Sequence, residues 1–438
     1  VGVWWSRRPP EPLVTAHPAR DAPRPPPATG PNLVLVIGCT IRRDQTTPYG
    51  GPADTTPVLA GFARDGARFG DLVTAAPWTR AASTAILTGF HPLSIGMAEP
   101  GPGRDELALP PRVTTLAEHL RSAGWSTIGL TTNPNLNAVY GFDQGFDAYR
   151  QLAQLWRDAA IKVPGALAVD DAMALLDDAP TDRPFYLQLM LIDAHAPFTT
   201  TEAERAAHRD PTVPPVVVDY RVGLRRWDQA LGALDRALAD RGFDASNTVL
   251  AVANDHGDGL GWPIHHGRSH GRFLAPSSVG GVFVVRGPGI PPGRTIGGVA
   301  SQVDIAPTLA GLIGAPAFPS PGIDASAAIR GASDALDRDR AFTDTWFKDT
   351  DRTAVYTATT ACQLDLSGAP PGPSWRDGCF DRATDPLHGR PHRDPALEDA
   401  LRAWRVERTA EARAFGPVER VTPDASTAAQ LEALGYTE

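Results

Sequence analysis

The chain has 438 residues, 42% of them apolar and 21% charged, with a formal net charge of −9. That suffices for one large core and a smaller companion domain, while the acidic balance, with no basic run beyond SRR and IRR, argues against a protein that binds nucleic-acid backbone. No stretch reaches the roughly 18 consecutive apolar residues of a membrane-crossing helix, so no span is expected in this chain.

Residues 1–30 carry prolines at 9, 10, 12, 18, 23, 25, 26 and 27, a composition that favours extended chain and predicts a tether. The opening VGVWWSRRPPEPL suits the end of a removed signal or anchor leading into a spacer, or is simply where this sequence starts. The first alternative predicts an exported, periplasmic or extracellular protein.

From Asn32 onward apolar strands alternate with amphipathic helices, the pattern of parallel βαβ units. The predicted strands are Leu33–Ile37, Ser126–Leu130, Phe185–Ile192, Thr248–Ala253 and Val282–Val285. The predicted helices are Pro57–Arg64, opening at Thr56 as cap, then Val113–Ser122, Asp170–Leu176 and Tyr220–Ala239. In the last, Leu224, Trp227, Leu231, Leu234 and Leu238 recur at spacings of three and four, an apolar stripe that belongs against a sheet. Residues 303–314 read as a further helix with Asp304 near its start.

Past about residue 335 come the short strands Ala341–Trp346, Ala354–Thr357 and Cys362–Leu366 and then one helix, Pro395–Ala412. Strands followed by a single helix predict a small antiparallel subdomain. The expected division is a tether over 1–30, an α/β domain over 31–335 and a subdomain over 336–438. Three cysteines are too few for a disulfide scaffold, and they lack zinc-finger spacing. Cys362 and Cys379 either pair across a Pro/Gly-rich loop or stay as two buried thiols, and Cys39 is left over.

Polar residues stand immediately after the apolar strands, where α/β sheets hold ligands. NDHGDGLG places Asp255 and His256 side by side after one strand, a carboxylate and an imidazole that suit zinc or manganese. DAHAPF puts Asp193 and His195 at the same edge, and HHGRSHGRFL supplies His265, His266 and His270. In APWTRAASTAILTGFHP a helix is predicted over Ala81–Leu87, with Thr79 near its first turn. Free backbone N–H groups there favour an anion. Thr79 is then either an attacking hydroxyl activated by a metal or simply the cap.

In register, the segments PNLVLVIGCTIRRD, APWTRAASTAILTGFHP, GFDQGFDAY, LIDAHAPF, NTVLAVANDHGDGLG, SHGRFL, VVRGPG, SQVDIAPTLAGLIGAP and AQLEALGY make the chain resemble the sulfatase-like branch of the alkaline phosphatase superfamily. The resemblance covers nearly all of residues 31–438. It implies an α/β fold, an alkaline-phosphatase-like mixed, mostly parallel sheet between helices, with a smaller C-terminal α+β subdomain. It also implies a divalent metal held by Asp255, His256, Thr79 and the position of Cys39, with Thr79 as nucleophile and His195 and His270 on the ester oxygens or leaving group.

Four positions depart from the family pattern. Cys39 stands where an acidic ligand belongs, and a thiolate favours zinc or manganese over calcium or magnesium. The stretch TRAAS has Thr79 where true sulfatases carry the residue oxidised to formylglycine, so no formylglycine is expected, and it has Ser83 in place of the motif's Arg. Met190 replaces a His found in many relatives. Two readings are open: a metal-dependent hydrolase or phosphotransferase acting on a phosphate or sulfate ester, or a catalytically inactive relative with a binding or scaffolding role. The substrate expected is a small-molecule, lipid or glycan ester, met by the loops near 94–110, 150–168, 198–216 and 257–275.

Overall fold

The run NLVLVIG forms a strand whose last six residues are buried, as expected where a parallel strand is covered by helices on both faces. In this computed structural model the described residues are 14–15, 24–97, 107–156, 162–263, 270–348, 350–368 and 377–436. His265 and His266, and parts of the loops near 94–110, 150–168 and 257–275, lie outside them.

Among the described residues the chain runs through β1 (Val14–Thr15), β2 (Asn32–Gly38), α1 (Pro57–Asp65), β3 (Ala67–Phe69), β4 (Leu72–Val73), α2 (Thr79–Thr88) and α3 (Leu116–Ser122). Next come β5 (Ser126–Thr131), β6 (Ala148–Gln151), α4 (Gly165–Asp177), β7 (Phe185–Leu191), α5 (Glu202–Ala207), α6 (Pro215–Ala239) and β8 (Thr248–Asn254). It continues with α7 (Pro276–Val279), β9 (Gly280–Gly281), β10 (Phe283–Arg286), β11 (Arg294–Ile296), β12 (Ala300–Ser301), α8 (Ile305–Leu312) and α9 (Ser326–Ile329). Last are β13 (Arg340–Thr345), β14 (Arg352–Thr357), β15 (Thr360–Asp365), β16 (Gly378–Asp381), α10 (Pro395–Phe415) and α11 (Ala425–Ala433).

The main sheet has the order β1-β6-β5-β7-β2-β8-β10-β3-β11. Its centre, β6 through β8, is parallel, and β10 is antiparallel to both its neighbours. The fold is therefore a mixed, mostly parallel sheet packed with helices, with a separate four-stranded antiparallel sheet β13-β14-β15-β16 near the C-terminal end. The α6 stripe Leu224, Trp227, Leu231, Leu234 and Leu238 is buried in the core.

Local capping differs in detail from the sequence reading. Thr56 occupies the first cap position of α1 without a capping bond; its hydroxyl accepts from the Thr47 amide at 2.7 Å. The amides of Val58 and Leu59 instead donate to Asp228 of α6, each at 2.9 Å. Asp304 ends a short 3-10 turn, and its Oδ2 accepts from the Ser301 amide at 2.8 Å just ahead of α8.

The Pro-rich start is partly engaged: Val14 pairs with Arg150 at the sheet edge, and Arg24 meets Asp147 at 2.9 Å. Cys362 and Cys379 face each other across β15 and β16 and are joined as a disulfide. A second helix follows the expected one. In α11, Gln430 Nε2 donates to Ala153 O at 2.7 Å and Leu431 packs into the main core, so the closing segment returns to the large domain.

Candidate functional site

Strands β5, β7, β2 and β8 end at one rim, and Asn133, His195, Cys39 and Asp255 follow them in that order across the sheet. Gly38 has no room for a side chain: a Cβ there would lie 2.5 Å from Ile41 Cγ1 and 2.8 Å from Trp227 Cζ2. The chain then turns at Thr40, whose φ of 57° is unusual for a β-branched residue. This turn lets the Thr40 amide donate to Asp255 Oδ1 at 2.9 Å. The His256 amide donates to the same oxygen at 2.6 Å. Oδ2 of Asp255 is buried with no hydrogen-bond partner among the described residues and stands 3.3 Å from His256 Nε2.

Thr79 is the first residue of α2, and Trp78 occupies the cap position, so Thr79 is not the cap. Its hydroxyl oxygen lies 3.3 Å from His256 Nε2 and 3.7 Å from Cys39 Sγ. Asn133 Nδ2 donates to Cys39 Sγ at 3.3 Å. His256 Nδ1 meets Gly257 O at 2.7 Å, which leaves Nε2 as the lone-pair nitrogen facing Thr79. His270 lies beside these groups, its ring 4.7 Å from that of His256 and 4.9 Å from that of His195.

Cys39, Asp255 and His256 offer ligand atoms that all lie within 4.8 Å of one another. A thiol, an imidazole and a carboxylate whose second oxygen is unpartnered form a donor set that fits a zinc-like cation. Burial dominates the electrostatics. It raises the Cys39 thiol well above its ordinary range and Asp255 to about 7. It lowers His256 to about 4 and pushes His195 and His270 well down, the latter two each helped by a neighbouring imidazole. A bound cation would reverse these penalties for the thiol and the carboxyl.

Four contributors were not found from sequence. Gln302 Nε2 donates to the carbonyls of Asn254 and Asp255 at 3.0 and 2.5 Å, and its Oε1 accepts from the Ala75 amide at 2.9 Å, tying the β8 end to the approach to α2. Lys162 donates to the His195 carbonyl, with its pKa lowered by burial to about 8. The chain has just two lysines, so this position carried a weak signal. Asn133 is the third. The fourth is Tyr436, whose hydroxyl lies 2.8 Å from Thr79 Oγ1 and 3.1 Å from His270 Nε2.

Asp193 accepts from the Gly165 amide at 2.9 Å and so holds the start of α4. Met190 is an apolar core residue within β7, and the Ser83 hydroxyl is buried without a partner among the described residues.

The mixed sheet packed with helices matches the alkaline-phosphatase-like α/β fold of sulfatases. The chain belongs to the sulfatase family: the family model described as Sulfatase matches residues 31–315. It is 28% identical to bovine (Bos taurus) arylsulfatase A over 360 residues, 69% of this chain and 68% of that protein. With human (Homo sapiens) arylsulfatase A it shares 27% identity over 343 residues, 66% of this chain and 65% of the relative.

Among solved structures, Ps i-CgsB superposes with a TM-score of 0.70 at 16% identity, covering 93% of this chain and 98% of the other. The phosphonate monoester hydrolase of Agrobacterium radiobacter superposes with a TM-score of 0.67 at 18% identity, covering 89% and 97%. Ps i-CgsB has also been solved in complex with k-i-k-neocarrahexaose.

Proposed function

We propose that this chain is a metal-dependent hydrolase or phosphotransferase acting on a phosphate or sulfate ester, with Thr79 as nucleophile. The observation that carries the reading is the placement of Thr79 Oγ1 3.3 Å from His256 Nε2 and 3.7 Å from Cys39 Sγ at the start of α2. Cys39, Asp255, His256 and Thr79 would hold the cation, and the thiol favours zinc or manganese over calcium or magnesium. When bound, such an ion supplies Lewis acidity and makes a coordinated hydroxyl easier to ionise.

The chain's own groups do the rest. Thr79 Oγ forms a bond to phosphorus or sulfur as the bond to the leaving oxygen breaks, and the helix start favours the anionic group. His195 and His270 are held neutral by burial. An anionic ester beside them raises their affinity for a proton; one of them takes up the proton that Thr79 loses and gives it to the leaving oxygen. Water, or an acceptor hydroxyl, resolves the threonine ester. Threonine does not pass through formylglycine, so none is invoked.

The Cys362–Cys379 disulfide supports an exported protein, and no helix among the described residues is long and apolar enough to cross a membrane. Glycan, lipid and small-molecule esters are the substrates to screen. The experiment is metal analysis of chelator-free protein, followed by assays of phosphomonoesters, phosphodiesters and sulfate esters with zinc, manganese and calcium. Unchanged turnover in Thr79→Ala removes the reading.

A second reading, an inactive relative with a binding role, is favoured by the thiol at position 39 and by the Tyr436 hydroxyl on Thr79. A chain free of tightly bound metal and without turnover on every ester class decides for it.

A further inference from the structure

The segment LEALGY ends α11 in a defined turn. The Gly435 amide bonds to Glu432 O and the Tyr436 amide to Leu431 O, each at 2.9 Å, and Gly435 has φ 80°. This double bond pattern with a left-handed glycine is a Schellman cap, and here it turns the residue after the glycine back toward the sheet rim. Tyr436 is 2% exposed, and its hydroxyl bonds to both Thr79 and His270. Its ring packs edge-on to Phe347 at 5.6 Å.

The Thr79 oxygen is thereby enclosed. Cys39 Sγ, His256 Nε2 and the Tyr436 hydroxyl all stand within 3.7 Å of it, and the residue has no exposed surface. An electrophile must come within about 3–3.5 Å of the attacking oxygen. The phenol oxygen already stands at 2.8 Å. We propose that the turn 434–436 is a built-in plug: the Tyr436 hydroxyl occupies the place of the transferable group of a substrate, and the site opens when this turn withdraws. This rests on the reading of Thr79 as the nucleophile.

Leu431, Leu434 and Tyr436 seat the plug in the main core. The helix behind it is tied by Gln430 to Ala153 O at 2.7 Å and by Thr427 to Asn137 at 3.3 Å. Local opening of such a terminal element costs less than global unfolding.

Cys39 is the free cysteine, is buried, and meets the same Thr79 hydroxyl as Tyr436, so it reports the opening without any need for turnover. The full-length protein is reacted under native conditions with 5,5′-dithiobis(2-nitrobenzoic acid). Tyr436→Ala is expected to label roughly 10-fold faster or more, since the hydrogen bonds and the ring are both lost, and Tyr436→Phe falls between. Leu401→Ala, in the apolar cluster of the C-terminal sheet, controls for general loosening. Equal labelling of wild type and Tyr436→Ala overturns the plug, and so does an equal rise in Leu401→Ala. Turnover on an aryl phosphate with zinc is followed in parallel, and a gain in Tyr436→Ala is expected. If Thr79→Ala leaves turnover unchanged, the nucleophile reading fails, while the labelling rates still decide whether the turn closes the site.

Discussion

The hydroxyl of Thr79 lies 3.3 Å from His256 Nε2, and that imidazole is fixed by its Nδ1 on Gly257 O at 2.7 Å. The pair therefore has one orientation available to it. Thr79→Ser, which keeps the oxygen, should retain turnover within about 10-fold, whereas Thr79→Ala should lose about 1,000-fold or more. His256→Ala should lose both turnover and bound metal. Steady-state kinetics with metal analysis of the same samples check all three, and Thr79→Ala should keep most of its metal.

On the proposed reading, Cys39 sets the choice of cation. Replacing its sulfur by oxygen in Cys39→Ser should weaken zinc binding by roughly 10–100-fold. Cys39→Asp should shift preference toward magnesium and calcium, because hard oxygen ligands suit them. Competition titrations against a chelating dye measure both, and an unchanged zinc affinity in Cys39→Ser would place the thiol outside the coordination set.

Gly38 is a packing constraint with a functional consequence. A methyl group there meets Ile41 and Trp227 at 2.5 and 2.8 Å, so Gly38→Ala should cost about 1–3 kcal/mol through forced displacement. The displaced segment carries Thr40, whose amide holds Asp255. The variant should show a lower unfolding midpoint together with reduced zinc occupancy.

Asp228 gives a pH dependence remote from the site. It is 1% exposed. Burial outweighs its two amide hydrogen bonds from α1 and raises its pKa to about 6. The folded state then takes the proton first. Stability from this group is full below about pH 4 and is lost as the pH rises through about 6. Asp228→Asn removes that slope, so the stability of wild type relative to the variant should fall by about 2 kcal/mol between pH 4 and pH 7. Urea unfolding of both proteins across that range measures it, and parallel pH profiles would contradict it.

The disulfide joins Cys362 to Cys379 across a separation of 17 residues. A closed loop of this size contributes about 3 kcal/mol by limiting the unfolded chain. The double variant Cys362→Ser/Cys379→Ser, or the wild type with reductant, should lose that amount from the C-terminal sheet. Denaturant unfolding followed by the fluorescence of Trp346 and Trp404, which line the interface of that sheet with α10, reads the change.

Much of the fold was legible because the central strands are continuous apolar runs. Leu33–Ile37 and Thr248–Ala253 fall inside β2 and β8, and parallel strands covered on both faces leave that mark. Short strands such as Ala67–Phe69 and Ala148–Gln151 were not legible, since their pairing is set by neighbours distant in sequence. The groups at strand ends were visible as residue types at a recurring position, which brought Cys39, Asp255, His256 and His195 into view. Gln302, Lys162 and Asn133 were not, because each acts through a contact to a carbonyl, an amide or the thiol of a remote segment. AQLEALGY stood out as a segment, but nothing local tells that its tyrosine returns to Thr79.

Synthesis from the amino end delivers Thr79 long before Tyr436, with a separation of 357 positions. From the synthesis of His256 until that of Tyr436, the emerging protein carries Cys39, Asp255 and His256 while the phenol is still to come. On the proposed reading, an ion reaches these groups most readily in that interval, before the last turn is seated.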